Sequence, residues 1–176
     1  EMTDNMEKYE LGIAVSKVYD FIWEEFCDWY IEMVKPRLYN DADETKTAAI
    51  WTLKTVLIDA LKLLHPYMPF ITEELWQHIY DRKPGESIMV AQLETFCGRD
   101  LQAANELCNA FDQLKEIISG IRNIRLQKNI AQKEVLEMLV LGENTQLMAY
   151  AEVVKKMANL SAVTVVESKP EGAASF

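Results

Sequence analysis

Apolar residues recur along the first part of the chain at intervals of three and four. The series runs Leu11, Val15, Val18, Ile22, Phe26, Trp29 and Met33. On a helix of 3.6 residues per turn these positions share one stripe, so they predict an amphipathic helix. We expect this helix to end softly at Pro36, because the residue before a proline is pushed out of the helical region.

Three further stripes predict three more helices. One begins near Ile50 and should end at His65, because Pro66 follows. The next begins at Pro69, a residue that suits a first helical turn, and runs to about Tyr80. After a long connection with one short extended piece, the fourth stripe comprises Ala104, Leu107, Phe111, Leu114, Ile118 and Ile121. The fold class that follows is mainly α, an antiparallel helical bundle around one shared core.

The pattern changes in the last quarter of the chain. A β-prone run at 135–141 and a β-branched run at 162–166 enclose a helical segment at 144–160. Two strands do not make a stable sheet alone, so we expect a small, truncated β-α-β segment that was cut from a larger protein. The predicted domains are 1–131 for the helical bundle and 132–176 for the appendage.

Composition narrows the classes of function. The formal charge is −10 and the pI is near 4.7, which argues against indiscriminate attraction to phosphate backbones or anionic lipid. The most apolar stretch, 50–71, is interrupted by charged residues and prolines, so we expect no membrane span. Three sparse cysteines, Cys27, Cys97 and Cys108, do not suggest a disulfide scaffold and favour a cytoplasmic location.

The crowded sequence "FCDWY" at 26–30 invites a catalytic interpretation that the rest of the chain does not support. A nucleophilic Cys27 needs a nearby base, and the spacing brings neither His65 nor His78 to it. We therefore predict that the cluster packs a helix seam while Asp28 faces away. We expect no catalytic residue, metal site or cofactor site in this fragment, since metal-ligand spacings and phosphate-binding glycine loops are missing from the sequence.

The distribution of charge along the chain is uneven. Residues 1–47 contain twelve acidic and five basic residues, whereas residues 115–133 have a net charge of +4. The candidate RNA-binding residues of this basic segment are Arg122, Arg125, Lys128, Lys133 and Lys115. Arg125 also occupies the next position of the fourth apolar stripe. It either pairs with an acid such as Asp28 or Glu73, or offers its guanidinium group to a ligand.

Several motifs resemble one known family. The stretches "FIWEEFCDWYIEMVKPRLY" (21–39) and "LLHPYMPFITEELWQ" (63–77) are similar to the anticodon-binding domain of bacterial-type valine–tRNA synthetases, which are class I aminoacyl-tRNA synthetases. "IRNIRLQKNI" (121–130) resembles the basic helix that follows in that family, and "ESIMVAQ" its connecting segment. The resemblance covers residues 5–170.

The resemblance implies a module that grips the anticodon arm of valine tRNA and positions it for aminoacylation. The ATP-dependent catalytic domain and the editing domain would belong to the rest of the parent synthetase chain, so ATP is expected there and not in this fragment. We expect a monomer with neither DNA nor a membrane as partner. The alternative is a helical scaffold or protein-interaction domain without direct RNA readout.

Overall fold

The structure is a computed structural model that describes residues 2–93, 101–142, 145–170 and 174. The chain forms two compact units, Glu1–Thr95 and Phe96–Phe176. The first unit contains α1 (Met2–Glu7), α2 (Leu11–Asp20), a π-helical segment (Phe21–Ile31), α3 (Glu32–Tyr39), α4 (Lys46–Leu64), α5 (Pro69–Ile79) and a 3₁₀ turn (Ile88–Val90). The second contains α6 (Leu101–Gln127), β1 (Leu136–Leu141), α7 (Thr145–Ala149), α8 (Ala151–Ala158) and β2 (Leu160–Val166). The mainly α fold class is confirmed.

The first predicted helix continues beyond its predicted end. α2, the π-helical segment and α3 follow one another without a break, and Pro36 lies inside α3. The prediction that Pro36 ends the helix is therefore wrong. A proline ring conflicts with the carbonyl four residues earlier, here that of Glu32, where the π-helical hydrogen bonding gives way to α-helical hydrogen bonding. The interruption thus falls where the hydrogen-bond register already changes.

The end of α4 and the start of α5 lie close to where Pro66 and Pro69 predicted them. α4 ends at Leu64 with His65 as its C-cap, and α5 has Pro69 in its first turn. His65 Nδ1 lies 2.7 Å from the hydroxyl of the buried Thr72, which links the two helix ends. Leu61, Trp76 and Ile88 form a buried cluster between α4, α5 and the 3₁₀ turn.

The connection after α5 is fastened by one carboxylate. Glu73 accepts hydrogen bonds from the Ser87 hydroxyl at 2.7 Å and from the Ile88 backbone N–H at 3.1 Å. The Ser87 hydroxyl in turn accepts one from the backbone N–H of Met89. These contacts form a 3₁₀ turn at Ile88–Val90 where the sequence suggested an extended piece, so that expectation is wrong.

The strand-helix-strand order of the tail is confirmed, and the two strands are parallel. The pairing places Leu136 opposite Leu160 and Glu137 opposite Ala162, so Ser161 forms a bulge in β2. The side chains of Ile118 and Val154 are fully buried in this second unit. Their burial follows from the apolar stripes of α6 and α8.

The compact units divide at a different residue from the predicted domains. α6 belongs to the same unit as the strand-helix-strand tail, and α6 contacts α8 directly. We predicted a domain boundary after residue 131 and one core shared by four helices. Both stay predictions. Among the residues with described structure, no helix is both long enough and apolar enough to cross a membrane.

Candidate nucleic-acid interface

The basic segment forms the end of α6 and the turn that follows it. The backbone N–H of Ile130 donates to the Arg125 carbonyl at 2.8 Å, and that of Asn129 donates to the Leu126 carbonyl at 3.2 Å. Asn129 has a positive φ of 54°. This pair of bonds around a left-handed residue is the Schellman arrangement. It ends the helix at a defined residue and thereby fixes where the basic side chains leave it.

Three of the five predicted RNA-binding residues are exposed. Arg122, Lys128 and Lys133 all lie at the surface of the second unit, and residues 117–133 contain no acidic side chain. Arg122 and Lys128 are each three positions from Arg125, so they flank it at about 60° on opposite sides of the helix. Basic side chains also complement the partial negative charge of a helix C-terminus, which gives them a structural role as well.

Arg125 lies in the interior, where its apolar stripe placed it. The residue is 4% exposed, and its guanidinium group donates hydrogen bonds to four backbone carbonyls. The acceptors are Ala131 at 3.2 Å, Glu134 at 2.8 Å, Ala158 at 3.0 Å and Asn159 at 2.9 Å. The structure therefore contradicts both sequence interpretations of Arg125. Among the described residues its partners are backbone carbonyls and not a carboxylate, and its burial keeps it from a ligand.

The acceptors of Arg125 explain why an arginine occupies this position. Ala158 and Asn159 are at the C-terminal end of α8, where carbonyl groups lack partners within the helix. Asn159 has a φ of 52°, and its side-chain amide donates to the Gln132 carbonyl at 3.0 Å. Arg125 and Asn159 together fasten the end of α8 to the turn after α6. Because a planar guanidinium has several donors in fixed directions, it can serve carbonyls from two segments at once.

Lys115 is paired with a carboxylate of its own helix. Its Nζ is 2.7 Å from Asp112 Oδ1, and its side chain is only 18% exposed. It also lies above the Phe111 ring, with 5.7 Å between Nζ and the ring centroid. It is seven positions from Arg122, about 10 Å along the helix axis. A nearby carboxylate thus offsets its charge, and its contact with RNA stays a prediction.

In the aromatic cluster of the π-helical segment, Phe26 and Asp28 have the expected burial and exposure, whereas packing at a helix seam stays a prediction. Phe26 is buried, its ring stacks on Tyr30 with centroids 6.2 Å apart, and Asp28 is exposed. Cys27 is half-buried. His65 bonds to Thr72, and His78 Nδ1 bonds to the Glu74 carbonyl at 2.8 Å.

No group of metal-binding side chains occurs in the described part of the chain. Cys97 lies outside the residues that the structure describes.

The sequence interpretation missed the residues that anchor the site. Asn129 and Asn159 hold the turn after α6 and the end of α8 in place, and neither belongs to an apolar stripe. The two asparagines do give a signal, because asparagine is one of the few residues that adopts the left-handed conformation readily after a helix. The carbonyl partners of Arg125 leave no trace in the sequence, since every residue has a carbonyl.

Comparison with known proteins identifies relatives along the entire chain. The family model for the anticodon-binding domain of tRNA ligase matches residues 1–140. Valine–tRNA ligases from Phocaeicola vulgatus and Bacteroides thetaiotaomicron are each 48% identical over 100% of the chain. The valine–tRNA ligase of Clostridium acetobutylicum is 40% identical over 97% of it. The chain spans 19% of the length of each of these relatives.

These matches confirm the resemblance drawn from the sequence motifs. The model match covers α1 to α6 and most of β1, so it includes the exposed basic side chains at the end of α6. The chain belongs to the family of anticodon-binding domains of tRNA ligases.

Proposed function

We propose that the chain is the part of a valine–tRNA ligase that binds the anticodon arm of valine tRNA. The support is the similarity to valine–tRNA ligases along the entire chain. Because the chain corresponds to 19% of their length, ATP binding, aminoacylation and editing are assigned to the remainder of the parent protein. In this proposal the parent acts as a monomer in the cytoplasm.

One observation carries the RNA contact: the exposed side chains Arg122, Lys128 and Lys133 lie in a stretch without acidic residues. The formal charge of the chain is −10, so most of its surface repels phosphate. A local cluster of cations on such a background attracts the RNA backbone only at that place. Arginine can contact a phosphate with two parallel hydrogen bonds, whereas lysine contributes a mobile point charge.

Phosphate contacts would set the position of the arm, and base contacts would supply selectivity. RNA loops are read mainly through unpaired bases that stack on aromatic or guanidinium planes and form hydrogen bonds along their edges. The module would therefore use its basic segment to bind the backbone and other side chains to distinguish the anticodon.

Binding of two transcripts to the full-length protein tests the function. One is valine tRNA, and the other is the same transcript with an altered anticodon. We expect the altered transcript to bind at least 10-fold more weakly, because the unpaired bases lose their contacts while the phosphates keep theirs. Equal binding of both transcripts would contradict anticodon recognition. Negligible binding of both would instead favour a scaffold or protein-interaction domain.

A further inference from the structure

A pocket with a volume of 320 Å³ opens in the first unit between α4, α5 and the connection after α5. This volume is near the lower end of small-ligand sites, which span roughly 300–1,000 Å³. Three aromatic rings line the pocket, those of Trp51, Trp76 and Tyr80, together with the charged side chains of Asp59, Lys62 and Arg82. Aromatic and polar walls in one cavity of this size suit a small planar group.

The aromatic wall is held in place by cations. The Arg82 guanidinium carbon lies 3.7 Å from the centroid of the Trp76 ring and 5.6 Å from that of Tyr80. Lys54 Nζ is 4.5 Å from the Tyr80 centroid and donates to the Ile79 carbonyl. Trp51 is 57% exposed, so part of its surface is open to a stacking partner.

Two donors at this pocket have no acceptor within the described residues. They are Trp76 Nε1 and Arg82 Nε, and both atoms are buried. A buried donor without a partner costs about 1–3 kcal/mol. The Arg82 side chain covers the indole ring, so a ligand would have to displace that side chain to reach the two N–H groups. A ligand with a carbonyl oxygen or ring nitrogen would then satisfy them.

Two of the three charged side chains that line the pocket are paired with each other. Lys62 and Asp59 form an ion pair at 3.0 Å, with 11% and 23% of their side chains exposed. This pair cancels its own charge while it adds both a donor and an acceptor to the pocket wall. Arg82 is already stacked on Trp76. A planar group with acceptors and donors along its edge fits these aromatic and polar walls.

We propose that this pocket binds a single unpaired nucleobase of RNA, stacked on Trp51 and hydrogen-bonded to Trp76 Nε1 and Arg82 Nε. The inference deepens the proposed function, on which it rests, by naming a site for one base of the bound RNA. Stacking on aromatic side chains is the usual contact of bases in single-stranded loops. The pocket belongs to the first unit, whereas the basic segment belongs to the second.

The test measures the affinity of the full-length protein for valine tRNA at several salt concentrations. Trp51→Ala removes the open stacking surface, and we expect the affinity to fall about 5- to 150-fold, the range for one stacked base. Trp76→Phe keeps a ring but removes the N–H, and we expect a loss of about 2- to 10-fold. The salt dependence should stay unchanged in both variants, because no phosphate contact is lost.

Trp23 provides the matched control. It is 58% exposed, nearly the same as Trp51, and it does not line the pocket. We expect Trp23→Ala to bind valine tRNA within 2-fold of the unchanged protein. Wild-type affinity in both Trp51→Ala and Trp76→Phe would overturn the proposal, as would equal losses in Trp51→Ala and Trp23→Ala. A lower unfolding temperature of Trp51→Ala with unchanged affinity would assign the pocket to protein packing and also overturn it.

Nucleoside monophosphates test the pocket independently of tRNA. We expect at least one of the four to quench tryptophan fluorescence saturably at millimolar concentration, and we expect Trp51→Ala to lose that response. If a nucleotide quenches the fluorescence but the protein binds both tRNA transcripts equally well, anticodon recognition is overturned and the base site is kept. Suppose instead that the protein distinguishes the transcripts, that no nucleotide quenches saturably and that Trp51→Ala keeps full affinity for valine tRNA. These results together would overturn the base site alone.

Discussion

Arg125 and Ala158 are 33 positions apart in the sequence, yet Arg125 Nη2 donates a hydrogen bond to the Ala158 carbonyl at 3.0 Å. The same nitrogen donates to Asn159, and Nη1 donates to Ala131 and Glu134. One side chain thereby joins α6, the turn after it and the end of α8. The basic segment has a buried anchor at Arg125 and exposed cations on both sides.

Replacing Arg125 should weaken the second unit. Arg125→Met fills similar space but leaves four carbonyls without these donors, and we expect local stability to fall by about 2–4 kcal/mol. Arg125→Lys should recover only part of this loss, because one ammonium group cannot reproduce the planar fork. Faster amide hydrogen exchange in residues 131–166 would measure the effect. Lys128→Met is the control, and because this side chain is exposed we expect it to change local stability by less than about 0.5 kcal/mol. Equal exchange in Arg125→Met and the unchanged protein would contradict the anchor.

Glu73 should make the first unit sensitive to acid. Hydrogen bonds from the side chains of Gln77 and Ser87 and from the backbone of Ile88 hold the pKa of Glu73 below its ordinary value of 4.5. The folded state therefore binds this proton less tightly than the unfolded state does. The carboxylate stabilises the fold above the ordinary pKa, and this contribution is lost as the pH falls through the lowered pKa.

The variant Glu73→Gln isolates that contribution. At pH 7 we expect the first unit to lose about 1–2 kcal/mol, since hydrogen bonds to a charged acceptor are weakened. The difference in stability between the variant and the unchanged protein should shrink below pH 4.5. Amide exchange in α5 and the 3₁₀ turn, measured across this pH range, checks both statements. Glu24→Gln, on the exposed face of the π-helical segment, is the control. A difference that is independent of pH would contradict the role of the Glu73 charge.

The two left-handed asparagines should respond differently to glycine. Asn129→Gly relieves the cost of a positive φ, so we expect an unchanged or slightly raised stability, by up to about 1 kcal/mol. Asn159→Gly gains the same freedom but loses the amide that donates to the Gln132 and Glu134 carbonyls, so we expect a net loss of about 1 kcal/mol. Thermal unfolding of both variants checks the contrast. Similar effects of the two substitutions would show that the Asn159 amide contributes nothing.

The sequence predicted those features that depend on neighbours along the chain. Pro66 ends α4 because a proline disfavours the helical conformation of the residue before it. Pro69 suits the first turn of α5 because the backbone N–H that proline lacks has no helical partner there. Pro36 predicted the wrong helix end. One turn before it, the backbone hydrogen bonds change from the π-helical to the α-helical pattern, and the order of apolar residues along the sequence does not show that change. α1 was not predicted, since its six residues are too few to show an apolar stripe.

The position of Arg125 in an apolar stripe correctly indicated an unusual site. The nature of its partners could not follow from the sequence, because backbone carbonyls from residues 131–159 become neighbours only through the fold. For the same reason, the sequence grouped all five basic residues together. The structure separates exposed Arg122, Lys128 and Lys133 from buried Arg125 and from Lys115, which pairs with Asp112.

The salt dependence of valine-tRNA binding to the full-length protein tests the basic segment most directly. In the variant that combines Arg122→Gln, Lys128→Gln and Lys133→Gln, we expect the slope of log affinity against log salt to fall by about 2 units, since each phosphate contact contributes about 0.7–0.9. The matched control replaces the exposed Lys8, Lys17 and Lys156 with glutamine, which removes the same charge elsewhere, and its slope should change by less than about 0.5. If both triple variants keep the slope and affinity of the unchanged protein, the basic end of α6 does not contact RNA.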